Sequence, residues 1–302
     1  MPTAANLYYF AHEAEEDTPT KRPHVILIHG AGGNHLTWPP QVRRMVDEKV
    51  YSLDLPGRRK SERNGRQSID EYVDDVLAFM QALKLRTAVF VGVSMGSAIA
   101  LAIAAQYPRK VRGLGLLGSG SKMRVASLIL ETVGSPNTFE SAVELINESC
   151  FSSDAPQNLK DLSKRHMLDM RPPVLLGDFL ACNEFDVTSQ LKKIRVPTLV
   201  ICGVEDKMMP VKHSEILQES MPNATLHIVE NAGHLVMAEQ PDIVADLLKK
   251  FVDSIPIRMR KTKKDRVELN VEVDPAQEAE STLQADSTNA PETNSTEQRS
   301  VS

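Results

Sequence analysis

Residues 88–106 read AVFVGVSMGSAIALAIAAQ, an apolar run followed by a Gly-x-Ser-x-Gly turn and an Ala-rich segment. The run 88–91 predicts a buried strand, and residues 97–106 predict a helix that stops before Pro108. Small residues on both sides of Ser94 allow a sharp turn that exposes its hydroxyl group at the start of the helix. Such a serine is either a plain helix cap or a nucleophile, and the strand–turn–helix context favours the nucleophile.

Short β-branched apolar runs alternate with helix-like segments along most of the chain. One helix is marked at its start by Ser68 and Glu71, which have the spacing of a capping box, and a last helix is predicted from about residue 241 to residue 253. This alternation, with strands that are apolar almost throughout, predicts an α/β fold with a mostly parallel sheet covered by helices on both faces. The predicted strands span residues 25–28, 50–53, 88–91, 111–117, 197–202 and 225–229.

The stretch 120–190 interrupts this alternation, because it contains helix-like patterns and no convincing strand. Asn137 and Glu140 resemble the cap of one of its helices. We therefore predict a core in two parts, residues 1–119 and 191–257, with a helical insertion between them.

Charge is distributed unevenly along the 302 residues. Residues 267–302 carry a net charge of −7 and residues 258–266 carry +5, so that −3 is left for residues 1–257. Nucleic-acid binding needs a basic field, and the near-neutral body does not offer one. The charged, Ser/Thr-rich segment 258–302 is predicted to be a disordered tail, and its composition does not indicate a role.

Three scattered cysteines (Cys150, Cys182 and Cys202) are too few for a disulfide framework or a CxxC metal site. We find no secretory signal at the start of the sequence, and no apolar stretch approaches the roughly 20 residues of a membrane helix. We therefore expect a cytoplasmic protein with no membrane span, no metal and no cofactor. The sequence does not indicate its oligomeric state.

A serine hydroxyl group is a weak nucleophile at neutral pH and needs a base. Among the eight histidines, His234 is preferred because it lies between the last predicted strand and the last helix, at the sheet edge that carries Ser94. The base needs an orienting carboxylate. Asp206 follows the strand 197–202 in a Gly-x-x-Asp-x-x-x-Pro segment and is preferred over its neighbour Glu205.

The Gly-rich turn HGAGG at residues 29–33 directly follows the first predicted strand. Its backbone can donate the N–H of Ala31 to an oxyanion, and the Ser94 turn can donate the N–H of Met95. The alternative is a phosphate-binding turn, but neither G-x-G-x-x-G nor a P-loop Lys-Ser/Thr is present.

Apolar residues next to these catalytic candidates are expected to contact an apolar substrate of modest size. The apolar residues of the helical insertion, which include Leu180, Cys182 and Phe185 in addition to Phe179, have core packing as an alternative role. The residues predicted to contact substrate are His29, Gly30, Gly32, Met208, Leu235 and Phe179.

Taken together, these motifs resemble those of the α/β-hydrolase superfamily, in its lid-bearing, serine esterase-like branch. The order Ser94, Asp206, His234 is that family's order of nucleophile, acid and histidine, and the resemblance covers roughly residues 7–253. It implies an α/β-hydrolase fold with a helical lid at 120–190. It also implies a carboxylesterase-like enzyme that cleaves an ester, or a related acyl bond, of a small, largely apolar molecule through an acyl-enzyme.

Two positions depart from the family pattern. Arg59 stands where the turn that begins at Asp54 usually has a second Gly, although Ser61 is retained, and Ser97 stands where many relatives have Gly. The serine nucleophile does not fit the aspartate-nucleophile relatives, and the Gly-Pro-Gly oxyanion turn of the carbon–carbon bond hydrolases is absent. A carbon–carbon bond hydrolase, a thioesterase, a perhydrolase and a non-catalytic receptor remain alternatives.

Overall fold

The structure is a computed structural model, and it describes residues 2–13, 22–45, 48–58, 60–62 and 64–256. The predicted tail at 258–302 and the departure at Arg59 lie outside the described residues. In the part that is described, no helix has both the length and the apolar character needed to cross a membrane.

The described residues form an eight-stranded sheet with the order β1-β2-β4-β3-β5-β6-β7-β8. From β4 to β8 every neighbouring pair is parallel, whereas β1 and β2 pair antiparallel at one edge. The predicted mostly parallel sheet is therefore confirmed. The strands are β1 (Thr3–Ala4), β2 (Leu7–His12), β3 (His24–Ile28), β4 (Val50–Asp54), β5 (Ala88–Val93), β6 (Val111–Leu117), β7 (Thr198–Gly203) and β8 (Ala224–Val229).

Helices cover both faces of this sheet. Alternate residues of a strand point to opposite faces, so Ile26 and Phe90 pack with α2 and α3, whereas Val25 and Val89 pack with α1 and α10. The helices are α1 (Pro40–Arg43), α2 (Ile69–Ala82), α3 (Met95–Gln106), α4 (Ser127–Val133), α5 (Phe139–Cys150), α6 (Gln157–Leu168), α7 (Pro172–Glu184), α8 (Val211–Ser220), α9 (Val236–Glu239) and α10 (Pro241–Ser254).

Helices α4 to α7, which we call the inserted helices, lie between β6 and β7 in the chain. They have an apolar cluster of their own, which includes Val143, Phe151, Leu175 and Phe179. These helices bury side chains against one another, and α7 also places Ala181 and Cys182 in the core on the α2 and α3 face of the sheet.

The strand order reverses at β3, whose neighbours β4 and β5 both follow it in the chain. In an open parallel sheet, ligands bind outside the carboxyl ends of the strands at such a switch point. The carboxyl end of β3 leads into the turn at residues 29–33, and that of β5 leads into Ser94. The two main motifs of the sequence therefore meet at this edge.

Four local features differ from the sequence predictions. The strands β1 and β2 and the helix α6 were not predicted. The cap predicted from Asn137 and Glu140 is wrong, because α5 begins after Thr138 and has no side-chain cap hydrogen bond. The Ser68–Glu71 capping box is confirmed, with the Glu71 N–H bonded to the Ser68 hydroxyl oxygen.

Candidate active site

Ser94 lies in the turn between β5 and α3 with φ 53° and ψ −120°. This left-handed φ is uncommon for a residue other than glycine and costs free energy, so the surrounding structure must impose it. The Ser94 N–H donates to the carbonyl oxygen of Leu117 on β6. The side chain forms no cap bond to the helix, which argues against the reading of Ser94 as a plain helix cap.

Close packing of two glycines imposes the turn. A Cβ atom on Gly92 would lie 2.2 Å from the carbonyl carbon of Gly96, and one on Gly96 would lie 2.1 Å from the carbonyl oxygen of Ile28. These contacts are far too short for any side chain, so the Gly-x-Ser-x-Gly pattern is required by backbone contact between β3, β5 and α3.

His234 and Asp206, on loops after β8 and β7, form a buried pair. The Nδ1 atom of His234 lies 2.9 Å from Oδ2 of Asp206, and the Asp206 Oδ1 atom accepts hydrogen bonds from the N–H groups of Met208 and Met209. An acceptor at Nδ1 favours the tautomer with its proton on that atom. The Nε2 atom of His234 is then left as the basic nitrogen, and it is buried without a hydrogen-bond partner among the described residues.

The neighbouring carboxylate, Glu205, has a different partner. It accepts hydrogen bonds from the N–H and hydroxyl groups of Ser153, after α5. Of the two carboxylates that the sequence offers, the structure brings only Asp206 to His234.

Glu239 holds the loop that carries His234 in place through hydrogen bonds. Its Oε1 atom accepts the N–H of Gly233 at 2.8 Å, and its Oε2 atom accepts the N–H and hydroxyl groups of Ser152. One side chain therefore joins the histidine loop to the end of the inserted helix α5. No sequence motif marks Glu239, so this role could not be predicted from the sequence.

We expect Glu239→Ala to lower the free energy of unfolding by about 1–3 kcal/mol, because buried donors at Gly233 and Ser152 lose their acceptor. Urea unfolding measures the change. The matched control is Glu205→Ala, which frees the donors of Ser153 in an exposed place where water replaces the carboxylate. Equal destabilisation by the two variants would contradict this account of Glu239.

The Gly-rich turn after β3 is closed by a hydrogen bond from the N–H of Gly33 to the carbonyl oxygen of Gly30 at 3.1 Å. Gly32 has φ 71°, which suits the third position of a type II turn. A Cβ atom on Gly30 would lie 3.1 Å from the Cβ atom of Ser94. The turn therefore lies directly beside the serine, with the N–H of Ala31 between these glycines.

Ser94 and His234 line one small cavity of about 90 Å³, which the inserted helices help to enclose. Its polar side chains, apart from these two, include Thr37, Ser163 and His166. Among the described residues that line it there is no Lys, Arg, Asp or Glu. Of the residues predicted to contact substrate, those that line the cavity are Gly30, Gly32, Met208, Leu235 and Phe179.

His29, which was also predicted to contact substrate, is not among the described residues that line the cavity. The side chain is fully buried, its Nδ1 atom lies 2.8 Å from the carbonyl oxygen of Gly30, and its Nε2 atom accepts the N–H of Leu55. Burial, with the nearby charge of Arg58, lowers the pKa of His29 to about 3. It is a neutral structural residue beneath the turn.

The inserted helices contribute lining residues that the sequence did not reveal. Leu159, Leu162 and Met167 of α6 line the cavity. Conversely, Cys182 and Phe185 belong to the main core on the α2 and α3 face of the sheet. Of the two roles considered for Cys182 and Phe185, substrate contact and core packing, the structure therefore shows core packing.

The site brings the hydroxyl group of Ser94 and the imidazole of His234, which is bonded to a carboxylate, to one cavity next to the backbone of the Gly-rich turn. Such an arrangement can support nucleophilic catalysis. Within the described residues, no group of three or more His, Cys, Asp or Glu side chains is arranged to hold a metal ion. The fold and the site together define the class of protein as an α/β hydrolase.

Comparison with known proteins gives the same class. The sequence model of the alpha/beta hydrolase fold family matches residues 23–241, and the chain belongs to this family. The chain is 26% identical over 264 residues to monoacylglycerol lipase ABHD6 of Homo sapiens, covering 78% of this chain and 77% of that protein. It is 29% identical over 245 residues to 2-hydroxymuconate semialdehyde hydrolase of Pseudomonas putida, covering 75% of this chain and 86% of that protein.

Among solved structures, a thermophilic esterase from Thermogutta terrifontis matches with a TM-score of 0.73 at 22% identity, covering 82% of this chain and 93% of that chain. At this identity the similarity establishes the shared fold. The relatives are hydrolases of different bonds, so the bond that this chain cleaves has to be argued from its own site.

Proposed function

We propose that this α/β hydrolase is a serine esterase that cleaves the carboxylic ester of a small, uncharged, largely apolar molecule through an acyl-enzyme. One observation carries the proposal. A single cavity is lined both by Ser94, held in a strained turn, and by His234, whose Nδ1 atom is bonded to the buried carboxylate of Asp206.

In the proposed reaction, the Oγ atom of Ser94 attacks the ester carbonyl carbon while Nε2 of His234 accepts the serine proton. The C–O bond then breaks, and His234 returns the proton to the leaving alcohol. A water molecule, deprotonated by His234, attacks the acyl-enzyme and releases the acid and the free serine. Asp206 holds the imidazole in the required tautomer throughout.

Two backbone N–H groups are proposed to stabilise the negative oxygen of the tetrahedral intermediates. One is that of Ala31 in the Gly-rich turn, and the other is that of Met95 at the N-terminus of α3, where the helix dipole also favours negative charge. The closeness of Gly30 to Ser94 supports this pairing of the two turns.

The lining of the cavity supports an uncharged substrate. A buried carboxylate or ammonium group on the substrate would need a partner of opposite charge, and no Lys, Arg, Asp or Glu lines the described part of the cavity. The Pseudomonas relative is named for a substrate that carries a carboxylate, whereas no Lys or Arg lines the described part of the present cavity. This observation favours an ester over the carbon–carbon bond substrate of that relative.

A cytoplasmic location is part of the same proposal. The three cysteines are all unpaired and buried, a state that suits a reducing compartment.

The proposal is tested with a fluorophosphonate probe and a series of p-nitrophenyl esters and acyl thioesters from two to twelve carbons. We expect labelling at Ser94 and turnover that is highest for short acyl esters. Labelling without turnover of any substrate would favour a receptor, and preference for the thioesters would favour a thioesterase. Absence of labelling would overturn the assignment of the nucleophile.

The width of the cavity is expected to limit the acyl chain at Phe179, a buried side chain of α7 that lines it. We expect Phe179→Ala to raise kcat/KM for octanoyl esters relative to acetyl esters about tenfold or more. Removal of the ring leaves room for the longer chain, and each methylene group in a hydrophobic pocket is worth about 1–3 kcal/mol.

Leu36→Ala is the matched control for this prediction, since Leu36 lines the same cavity but is exposed at its mouth. It should leave the chain-length preference unchanged. An unchanged preference in Phe179→Ala as well would show that the acyl chain lies elsewhere.

A further inference from the structure

A buried ion pair joins the inserted helices to the core next to the Gly-rich turn. The Arg58 guanidinium donates to Oδ2 of Asp178 on α7, and the two side chains are 1% and 0% exposed. The hydroxyl group of Tyr72 donates to the other carboxylate oxygen at 2.6 Å. Although burial alone lowers it, the pKa of Arg58 is raised by the charge of Asp178, so the guanidinium stays charged.

This pair contacts the Gly-rich turn on two sides. The same Oδ2 atom of Asp178 accepts the N–H of Gly32 at 3.1 Å. The Nε atom of Arg58 donates to the carbonyl oxygen of Gly33 at 3.4 Å. The two charged groups therefore bind the N–H group of Gly32 and the carbonyl oxygen of Gly33, on the turn that also contains Ala31.

The hydrogen bond from the Gly32 N–H to Asp178 fixes the orientation of one peptide group of the turn. The peptide group between Ala31 and Gly32 is the central one of the turn, and type I and type II turns differ by rotation of this group. The positive φ of Gly32 corresponds to type II. A carboxylate that accepts the Gly32 N–H stabilises this orientation, and it thereby fixes the backbone just after the N–H of Ala31.

Helix α7 is held closely enough to act as a rigid support. A Cβ atom on Gly177 would lie 2.5 Å from the carbonyl oxygen of Arg66, and one on Gly57 would lie 2.4 Å from Cγ1 of Val174. The residue after Asp178 is Phe179, which lines the cavity. The same helix therefore touches the substrate space and the turn.

Stability alone does not explain this pair. Burying two charges costs desolvation free energy, and replacing such a pair by apolar residues of similar volume is often neutral or stabilising. What the pair provides that apolar residues cannot is a fixed acceptor for Gly32 and a fixed donor for Gly33.

We propose that Asp178 and Arg58 are positioning residues that hold the Gly-rich turn so that the N–H of Ala31 points at the oxyanion. This inference rests on the proposed function, because it assumes that a tetrahedral intermediate forms at Ser94. A displacement of about 1 Å in such a group can cost on the order of 100-fold in rate.

The test compares two double variants that both remove the buried charges. Arg58→Met/Asp178→Leu leaves the N–H of Gly32 without an acceptor, whereas Arg58→Met/Asp178→Asn keeps a carbonyl oxygen there. The control, Arg22→Met/Glu48→Leu, removes another ion pair that includes a buried carboxylate but does not touch the turn.

The readouts are the rate of fluorophosphonate labelling at Ser94, and kcat and KM for the best ester. We expect the Leu variant to lower the labelling rate and kcat about 10- to 100-fold with KM within threefold. The Asn variant should recover only part of this loss, because it restores the acceptor of the Gly32 N–H but not the donor to Gly33, and the control should match the wild type. A folded Leu variant with wild-type labelling and kcat would overturn the proposal, and so would equal losses in the Leu and Asn variants.

If the Leu variant does not fold, Arg58→Lys decides, because lysine keeps the buried charge but cannot keep every bond of the guanidinium. We expect a fall in kcat of about fivefold at constant KM, and an unchanged kcat would overturn the proposal. Wild-type protein that is not labelled at all would overturn the proposed function together with this inference. Labelling that is equal in all variants would overturn this inference alone.

Discussion

Replacing Ser94 by alanine is expected to abolish ester turnover, with a loss of about 10⁵- to 10⁶-fold in kcat, while the protein stays folded. The loss is expected because the hydroxyl oxygen of Ser94 forms the bond to the acyl group. In the alanine variant no water molecule is held in the place of that oxygen. The fold survives because the side chain of Ser94 forms no cap bond. Alanine and serine both have a Cβ atom, so the free-energy cost of φ 53° at this position is about the same for both residues.

The measurement is kcat for the best p-nitrophenyl ester, together with the melting temperature of both proteins. Ser163→Ala is the matched control, because Ser163 is a second serine that lines the same cavity but lies on the inserted helix α6. It should keep kcat within a few-fold of the wild type. Wild-type turnover by Ser94→Ala, after removal of contaminating esterases, would show that the chemistry occurs elsewhere.

The sequence was sufficient for the parts of the site that are encoded by neighbouring residues. The turn at Ser94 depends on glycines two positions away on each side, and the structure shows the backbone contacts that exclude any side chain there. The choice of Asp206 over Glu205 likewise came from a local frame, and the carboxylate of Asp206 is the one bonded to His234.

Contacts between distant segments could not be predicted. Arg58 and Asp178 are 120 residues apart in the chain, and neither stands in a motif that signals a partner. Glu239 is similar, since its bond to Ser152 crosses from α9 to the end of α5. The local sequence around His29 does not reveal the orientation of its ring, which bonds the backbone beneath the Gly-rich turn.

In the secondary structure too, features encoded by neighbouring residues were predicted and those that depend on tertiary contacts were not. Buried strands have continuous apolar runs, and these predicted β3 to β8 well. Helix α6 was not predicted because it is strongly polar, so that its few apolar residues, among them Leu159, Leu162 and Met167, give only a weak helical period. The cap at Ser68 forms, whereas Asn137 lies one residue before Thr138, which is the residue that directly precedes α5. A cap pattern decides the start of a helix only where the tertiary structure agrees.

The second large effect is expected from Asp206→Asn, which should lower kcat about 10⁴-fold. The amide has the size of the carboxylate, and its oxygen can still accept the N–H groups of Met208 and Met209. Its NH₂ group then stands against the Nδ1 atom of His234. The imidazole adopts the tautomer with its proton on Nε2, and in that form it cannot accept the proton of Ser94.

Glu205→Gln is the matched control, because it makes the same chemical change one residue earlier, on a carboxylate that bonds Ser153 instead of the histidine. It should keep kcat within about twofold of the wild type. The two variants are compared in kcat and in melting temperature, so that a loss of fold is distinguished from a loss of chemistry. If Asp206→Asn and Glu205→Gln lowered kcat equally, orientation of His234 by Asp206 could not be the cause, and the carboxylates would act only through the general charge of this loop.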